Sequence, residues 1–259
     1  MQLPLSACIE TIFRTEEPVF ARRIDRCAEH GISRVEFWTW RDKELADIEA
    51  ALERTGVSVT AFATEPKGRL VDNGTHDEFL AGLKQSIEIT KRLRARALIV
   101  LAGDTLDRVP REIQTNALVE ALRRAAPLAE RAGVLLVLEM FNTVKNHPGY
   151  FLDRTTDALD IVDAVGSPAV RILFDLYHSA MMGEDMRAVL SGRVHLVGHV
   201  HIADTNGRHE PGTGTIDFRT ALSVLSGGGY VGPIGLEFWP TGSTADSLVA
   251  CRRVLAGPT

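Results

Sequence analysis

Four residues stand out because each closes, or nearly closes, an apolar run with a polar side chain: Glu139 in VLLVLE, Asp175 in VRILFD, His201 in GHVH and Glu237 in PIGLE. They are spaced 36, 26 and 36 residues apart. Three carboxylates drawn into one poorly solvated pocket would repel one another by several kcal/mol. Either some of them are protonated, or a cation sits among them. Three carboxylates with one imidazole form a hard, oxygen-rich donor set. It suits one divalent ion, Mg²⁺ or Mn²⁺ with Co²⁺ also compatible, better than a thiolate-loving or tetrahedral centre. Taken singly, each residue has a plainer role: a strand-end aspartate caps the next helix, and an inward histidine is a hydrogen-bonded core residue. Glu139 and Glu237 resist that treatment, since glutamate caps poorly and is rarely buried unpaired.

The spacing makes sense only if the four residues occupy successive structural units. Eight short apolar runs suit strands buried on both faces: 3–9, 34–40, 58–64, 97–103, 134–142, 170–178, 196–204 and 233–239. Amphipathic segments lie between them, several with acidic first turns and a glycine at the end, as at Gly31 and Gly56. Pro127, inside the helical stretch from Pro110 to Gly133, predicts a kink or two shorter helices there. Eight strands alternating with eight helices over 259 residues give about 32 residues per unit. That predicts an α/β chain folded as one closed, parallel (β/α)₈ TIM barrel over 1–259. A doubly wound open sheet is the rival, but no G-x-G-x-x-G turn follows the first strand. In a barrel the four residues fall on strands five to eight at nearly the same height, facing one pocket. His199, two residues before His201, would point the same way one layer deeper, in a supporting role. His178 would lie just above the barrel mouth.

Composition narrows the function classes. The formal net charge is −5, with no basic footprint for nucleic acid. No apolar run approaches the roughly 20 residues that span a bilayer, and the N-terminal stretch lacks the charge and apolar core of a signal peptide. Three cysteines, Cys8, Cys27 and Cys251, show no ligand spacing and read as reduced thiols of a cytoplasmic protein. None of this decides whether the chain forms a homo-oligomer.

The segments LLVLEMFN…HPGYFL, LFDLYHSAMMGED, GHVHIADTNGRHEPGTGTIDF and GLEFWP resemble hydroxypyruvate isomerase and its relatives. These are xylose-isomerase-like barrels that also include ketose 3-epimerases and 2-oxo-tetronate isomerases. The likeness is dense from about residue 134 to 240, whereas TAFATEPKG and LAGDTLD, after strands three and four, depart from the isomerase pattern. The resemblance implies that Glu139, Asp175, His201 and Glu237 ligate one divalent metal, that Glu139 and Glu237 also move protons, and that His178 and Arg208 hold substrate oxygens. Glu36, at the end of strand two, either contacts a substrate hydroxyl or forms a salt bridge or loop cap. Trp38, Trp239 and Phe141 are candidate apolar walls.

The expected chemistry is proton transfer beside a carbonyl through a cis-enediol, on a small unphosphorylated sugar or hydroxy-keto acid. Return of the proton to the adjacent carbon interconverts an aldose and a ketose; return to the opposite face of the same carbon epimerises. A 3-epimerase and a metal-dependent lyase acting on an oxidised sugar conjugate are the alternatives on the same site. A purely sugar-binding barrel would have no use for two flanking glutamates.

Overall fold

A computed structural model describes residues 3–256. Eight parallel strands pair in sequence order, and β1 pairs with β8 to close the barrel. The strands are β1 (Leu5–Cys8), β2 (Arg34–Phe37), β3 (Ser58–Ala63), β4 (Ala97–Leu101), β5 (Leu135–Glu139), β6 (Val170–Asp175), β7 (Val197–Ile202) and β8 (Ile234–Leu236). Helices α1 (Arg22–Glu29), α2 (Leu45–Thr55), α3 (His76–Leu93), α4 (Arg111–Ala132) and α5 (Thr155–Val165) follow the first five strands. Two short helices, α6 (Leu176–Met181) and α7 (Met186–Val189), follow β6, so the one-helix-per-strand expectation fails at that crossover. Helices α8 (Phe218–Gly227) and α9 (Thr244–Ala256) follow β7 and β8.

The strands run as predicted, each ending short of its apolar run because the chain turns into the loop that leaves the barrel's C-terminal mouth. Of the kink or two shorter helices expected at Pro127, the two helices do not occur: α4 is one helix across it. Pro127 and Arg123, whose carbonyl loses its helical donor, both lie on the exposed face, where water can serve that carbonyl. Meanwhile Ala121, Leu122, Ala125, Ala126 and Ala129 anchor the opposite face.

Alternation along the strands produces two apolar layers. Ala61, Ala63, Ala97, Ile99, Val137 and Leu173 form a small buried cluster inside the barrel, and the larger cluster fills the shell between strands and helices. Within that shell Phe37 stacks on Phe62, with ring centroids 5.3 Å apart. The inward set on β5 is Leu135, Val137 and then Glu139; on β6 it is Leu173 and then Asp175. In β7, Ile172 pairs with Val197 and Leu173 with His199, so Gly198 is an extra residue, a bulge that brings Asp175 opposite His201. Among the described residues no helix is long and apolar enough to cross a membrane.

Candidate active site

Each of the four strand-end residues is buried, and one ligand atom from each of Glu139, Asp175, His201 and Glu237 lies within 4.8 Å of the others. His201 Nδ1 is 3.3 Å from Glu139 Oε1 and 3.4 Å from Glu237 Oε2. Neither His201 Nδ1 nor Glu139 Oε1 has a hydrogen-bond partner among the described residues. Buried polar atoms left in this way are costly unless something else satisfies them. The separations are close to those between neighbouring ligands of a hard divalent ion, which binds oxygen at about 2.0–2.2 Å. The residues therefore fit a divalent cation held by Glu139, Asp175, His201 through Nδ1, and Glu237. Asp175 also caps α6, accepting from the His178 backbone N–H through Oδ1 at 3.0 Å, so its two readings are compatible.

The two glutamates live in different electrostatic surroundings. Burial alone would raise both. At Glu139 burial dominates, reinforced by the negative charge of Glu237 and Asp175 and only partly countered by His201, and the carboxyl is pushed up to about 7. At Glu237 the Arg208 guanidinium and His201 overcome burial and hold the carboxyl well below the usual range. Trp38 donates its indole N–H to Glu237 Oε1 at 2.6 Å, and Arg208 donates to Oε2. Both oxygens of Glu237 are thus engaged, whereas Glu139 is not so held. Burial works against a charged His201, but Glu36, Glu237 and Glu139 outweigh it and raise the imidazole.

Glu36 lies beneath this layer, 1% exposed, and does not line the cavity. His199 Nε2 donates to Glu36 Oε2 at 2.9 Å, and His201 Nε2 sits 2.8 Å from Oε1 as an ion-pair contact. Burial opposes this carboxylate's charge, yet the two imidazoles bring it down to about 2. Of the two sequence readings of Glu36, the structure supports ionic pairing over contact with a substrate hydroxyl: both oxygens face histidines and the side chain is out of reach of the mouth. Gly235 of β8 pairs with His201 and makes room for this contact, since a Cβ there would come within 2.6 Å of His201 Cδ2 and closer still to Glu36 Oε1. Glu36, His199 and His201 also lie close enough together to hold an ion. That triad already contains a hydrogen bond and lies below the cavity, while the upper four open onto it through Glu139 and Glu237.

The cavity at the barrel mouth measures about 470 Å³ and is lined by Trp38, Lys67, Arg69, Glu139, Arg208 and Glu237 among others. Arg208, with φ +59°, is held in that left-handed conformation by a bond from Trp239 N to its carbonyl at 2.9 Å. Its guanidinium reaches Glu237 and lies 3.9 Å from Asp175 Oδ2. His178 is not on an open loop. It is wholly buried in α6, and the Asn142 backbone N–H donates to Nδ1 at 3.0 Å, which leaves Nε2 protonated and without a partner, 3.7 Å from Asp175 Oδ2. Desolvation brings its imidazole down to about 4, so it is a neutral donor.

Some site residues escape a reading by strand ends. Trp38 is more than a wall, because its N–H fixes Glu237. His147 stacks on Phe141, ring centroids 4.1 Å apart, and lines the cavity with Tyr150, whose hydroxyl donates to the Glu139 carbonyl at 3.1 Å. Lys67 and Arg69 come from the loop after β3, where only its departure from the isomerase pattern drew notice.

A closed parallel barrel with an acidic cluster at its C-terminal mouth is the frame of many enzymes. A sequence profile of the xylose isomerase-like TIM barrels matches residues 24–253, and the chain belongs to that family. Its relatives are named as isomerases, and the chain is an enzyme of that kind. The hydroxypyruvate isomerase of Escherichia coli strain K12 is 28% identical, over 88% of this chain and 91% of its own length. A 2-oxo-tetronate isomerase of Cupriavidus necator is also 28% identical, over 90% and 92%. Among solved structures, a Brucella melitensis protein described as an AP endonuclease, family 2, superposes with a TM-score of 0.89 at 28% identity, covering 96% of this chain and 98% of that one.

Proposed function

We propose that this protein is a divalent-metal-dependent isomerase that interconverts the aldehyde and ketone forms of a small, unphosphorylated hydroxy-keto acid or sugar, with hydroxypyruvate the first substrate to test. The observation that carries the reading is the pair Glu139 and Glu237 on one cavity, Glu237 fixed through both oxygens by Trp38 and Arg208 and Glu139 with one oxygen left unbonded. Two carboxyls placed on one cavity can take a proton from carbon and return one to it. The relatives named for hydroxypyruvate and 2-oxo-tetronate support the substrate class.

A bound divalent cation would polarise the substrate carbonyl and its neighbouring hydroxyl, acidifying the C–H between them. The protein supplies the rest. Glu237, kept ionised and oriented by Trp38 and Arg208, faces one side of the cavity. Glu139, with an unbonded oxygen, exchanges a proton with carbon on the other side. Arg208, which lines the cavity, is a donor for an oxygen that becomes negative as the enediolate forms. Trp38, Phe141 and Tyr150 exclude water from the reacting carbons.

The test is proton exchange. Protein loaded with Mn²⁺ is incubated in D₂O with hydroxypyruvate, 2-oxo-tetronates and a panel of ketoses, and NMR follows each C–H. Deuterium at the CH₂OH carbon beside the ketone, and at the former carbonyl carbon of an aldehyde isomer, supports isomerisation. Exchange confined to C3 of a ketose would make the enzyme an epimerase, elimination products a lyase, and no exchange on any substrate would remove proton transfer from the site.

A further inference from the structure

We propose that Lys67 and Arg69, on the loop after β3, form a carboxylate clamp that selects hydroxy-keto acids over neutral sugars; the proposal rests on the isomerase reading above. Both side chains line the cavity that holds Glu139 and Glu237. The third cation of that cavity, Arg208, is committed to Glu237, whereas Lys67 and Arg69 have no ion-pair partner among the described residues.

The loop is built to present them. At its start, Glu65 Oε2 accepts from the backbone N–H groups of Trp40 at 2.6 Å and Arg41 at 2.9 Å. At its end, the Arg69 carbonyl accepts from Asp72 N and from Thr75 Oγ1, both at 2.8 Å. Gly103, in the loop after β4, receives the Arg69 backbone so closely that a Cβ there would lie 2.7 Å from Arg69 Cα. The backbone at Arg69 is therefore held while both charged ends are free, which lowers the entropy lost when Arg69 binds a ligand.

The charge pattern gives the clamp its purpose. The floor of the cavity carries three carboxylates, and a substrate carboxylate laid against them would be repelled. The β3 side offers two unpaired cations, with Asp104 the one acid close by on that wall. A short molecule with a carboxylate at one end and a hydroxy-carbonyl at the other can satisfy both sides at once. Arg69 is the better fork for two carboxylate oxygens, and Lys67 adds a point charge.

The test reads binding rather than rate. Calorimetric titration of Mn²⁺-loaded protein compares hydroxypyruvate with dihydroxyacetone, which carries CH₂OH in place of the carboxylate. Wild type should prefer the acid. Lys67→Met combined with Arg69→Gln should weaken hydroxypyruvate about 30-fold, leave dihydroxyacetone within about twofold, and leave Mn²⁺ affinity unchanged. Lys67→Arg in an otherwise wild-type chain should keep the preference. The clamp is overturned if wild type shows no preference for the acid, if the double variant keeps its affinity for hydroxypyruvate, or if it loses both ligands equally. Absence of proton exchange from hydroxypyruvate in D₂O, with the binding preference intact, would instead remove the isomerase reading and leave the clamp standing.

Discussion

Replacing Glu36 by Gln separates two roles that this residue could play at such a site. The Glu36 carboxylate faces two imidazoles: His199 Nε2 donates to one oxygen at 2.9 Å, and His201 Nε2 lies 2.8 Å from the other. A glutamine has one acceptor and one donor end in the same space. Whichever way the amide turns, one of the two imidazoles must accept at Nε2 and carry its proton on Nδ1. If that imidazole is His201, the nitrogen facing Glu139 and Glu237 can no longer ligate a cation. If it is His199, His201 keeps its tautomer but loses the negative charge behind it. A hydrogen bond to a charged group is worth about 1.5–3 kcal/mol, and loss of a carboxylate behind a metal-bound histidine typically weakens the metal about 10–100-fold, so the two scales agree. Glu36→Gln protein stripped with chelator and titrated with Mn²⁺, by calorimetry or electron paramagnetic resonance, should show that loss while its circular dichroism stays that of wild type. A folded variant with wild-type Mn²⁺ affinity would refute the reasoning. A raised KM with metal affinity intact would return Glu36 to the substrate.

Glu139→Gln should lower proton exchange by at least about 10²-fold with the fold retained, because a positioned acid–base group is worth that much; near-wild-type exchange would take Glu139 out of the mechanism. Gly235→Ala places a methyl group 2.6 Å from His201 Cδ2. It should cost about 1–3 kcal/mol in urea unfolding and weaken Mn²⁺ as well, as overpacking displaces the Glu36–His201 contact; unchanged stability and metal affinity would mean that the strand shifts freely. Pro127→Ala, on the exposed face of α4, should stabilise by about 1–2 kcal/mol, the gain in helix propensity less the entropy returned to the unfolded chain, with unchanged exchange kinetics. A lower urea midpoint would show that the proline is structurally required.

The barrel was legible because its signals repeat: eight buried strands, each followed by a helical pattern, leave little choice of topology. The four strand-end residues were legible for the same reason, since alternation on a buried strand decides which side chains share the interior. What stayed hidden was set by contacts across the barrel, far apart in sequence. Glu36 meets His199 and His201 from β7, and Trp38 meets Glu237 from β8. No local pattern encodes which strand's polar residue lies one layer deeper than another's, so the sequence left Glu36 between a substrate contact and a salt bridge. His178 was misplaced because α6 begins directly at Asp175 and carries it inward. Two shorter helices at Pro127 do not form because helix propensity is local, whereas the alanine-rich buried face that carries α4 through the proline is tertiary.

The site's asymmetry follows from that layering. Left alone, three buried carboxylates and a histidine would settle into a shared proton and a shared charge, with no reason for one glutamate to differ from the other. The protein breaks the symmetry from outside the cluster. Arg208 and Trp38 reach Glu237 from the mouth, while Glu36 reaches His201 from below. Glu139 receives neither, and burial beside its acidic neighbours is what tunes it. Its acidity is thus a property of what is missing around it.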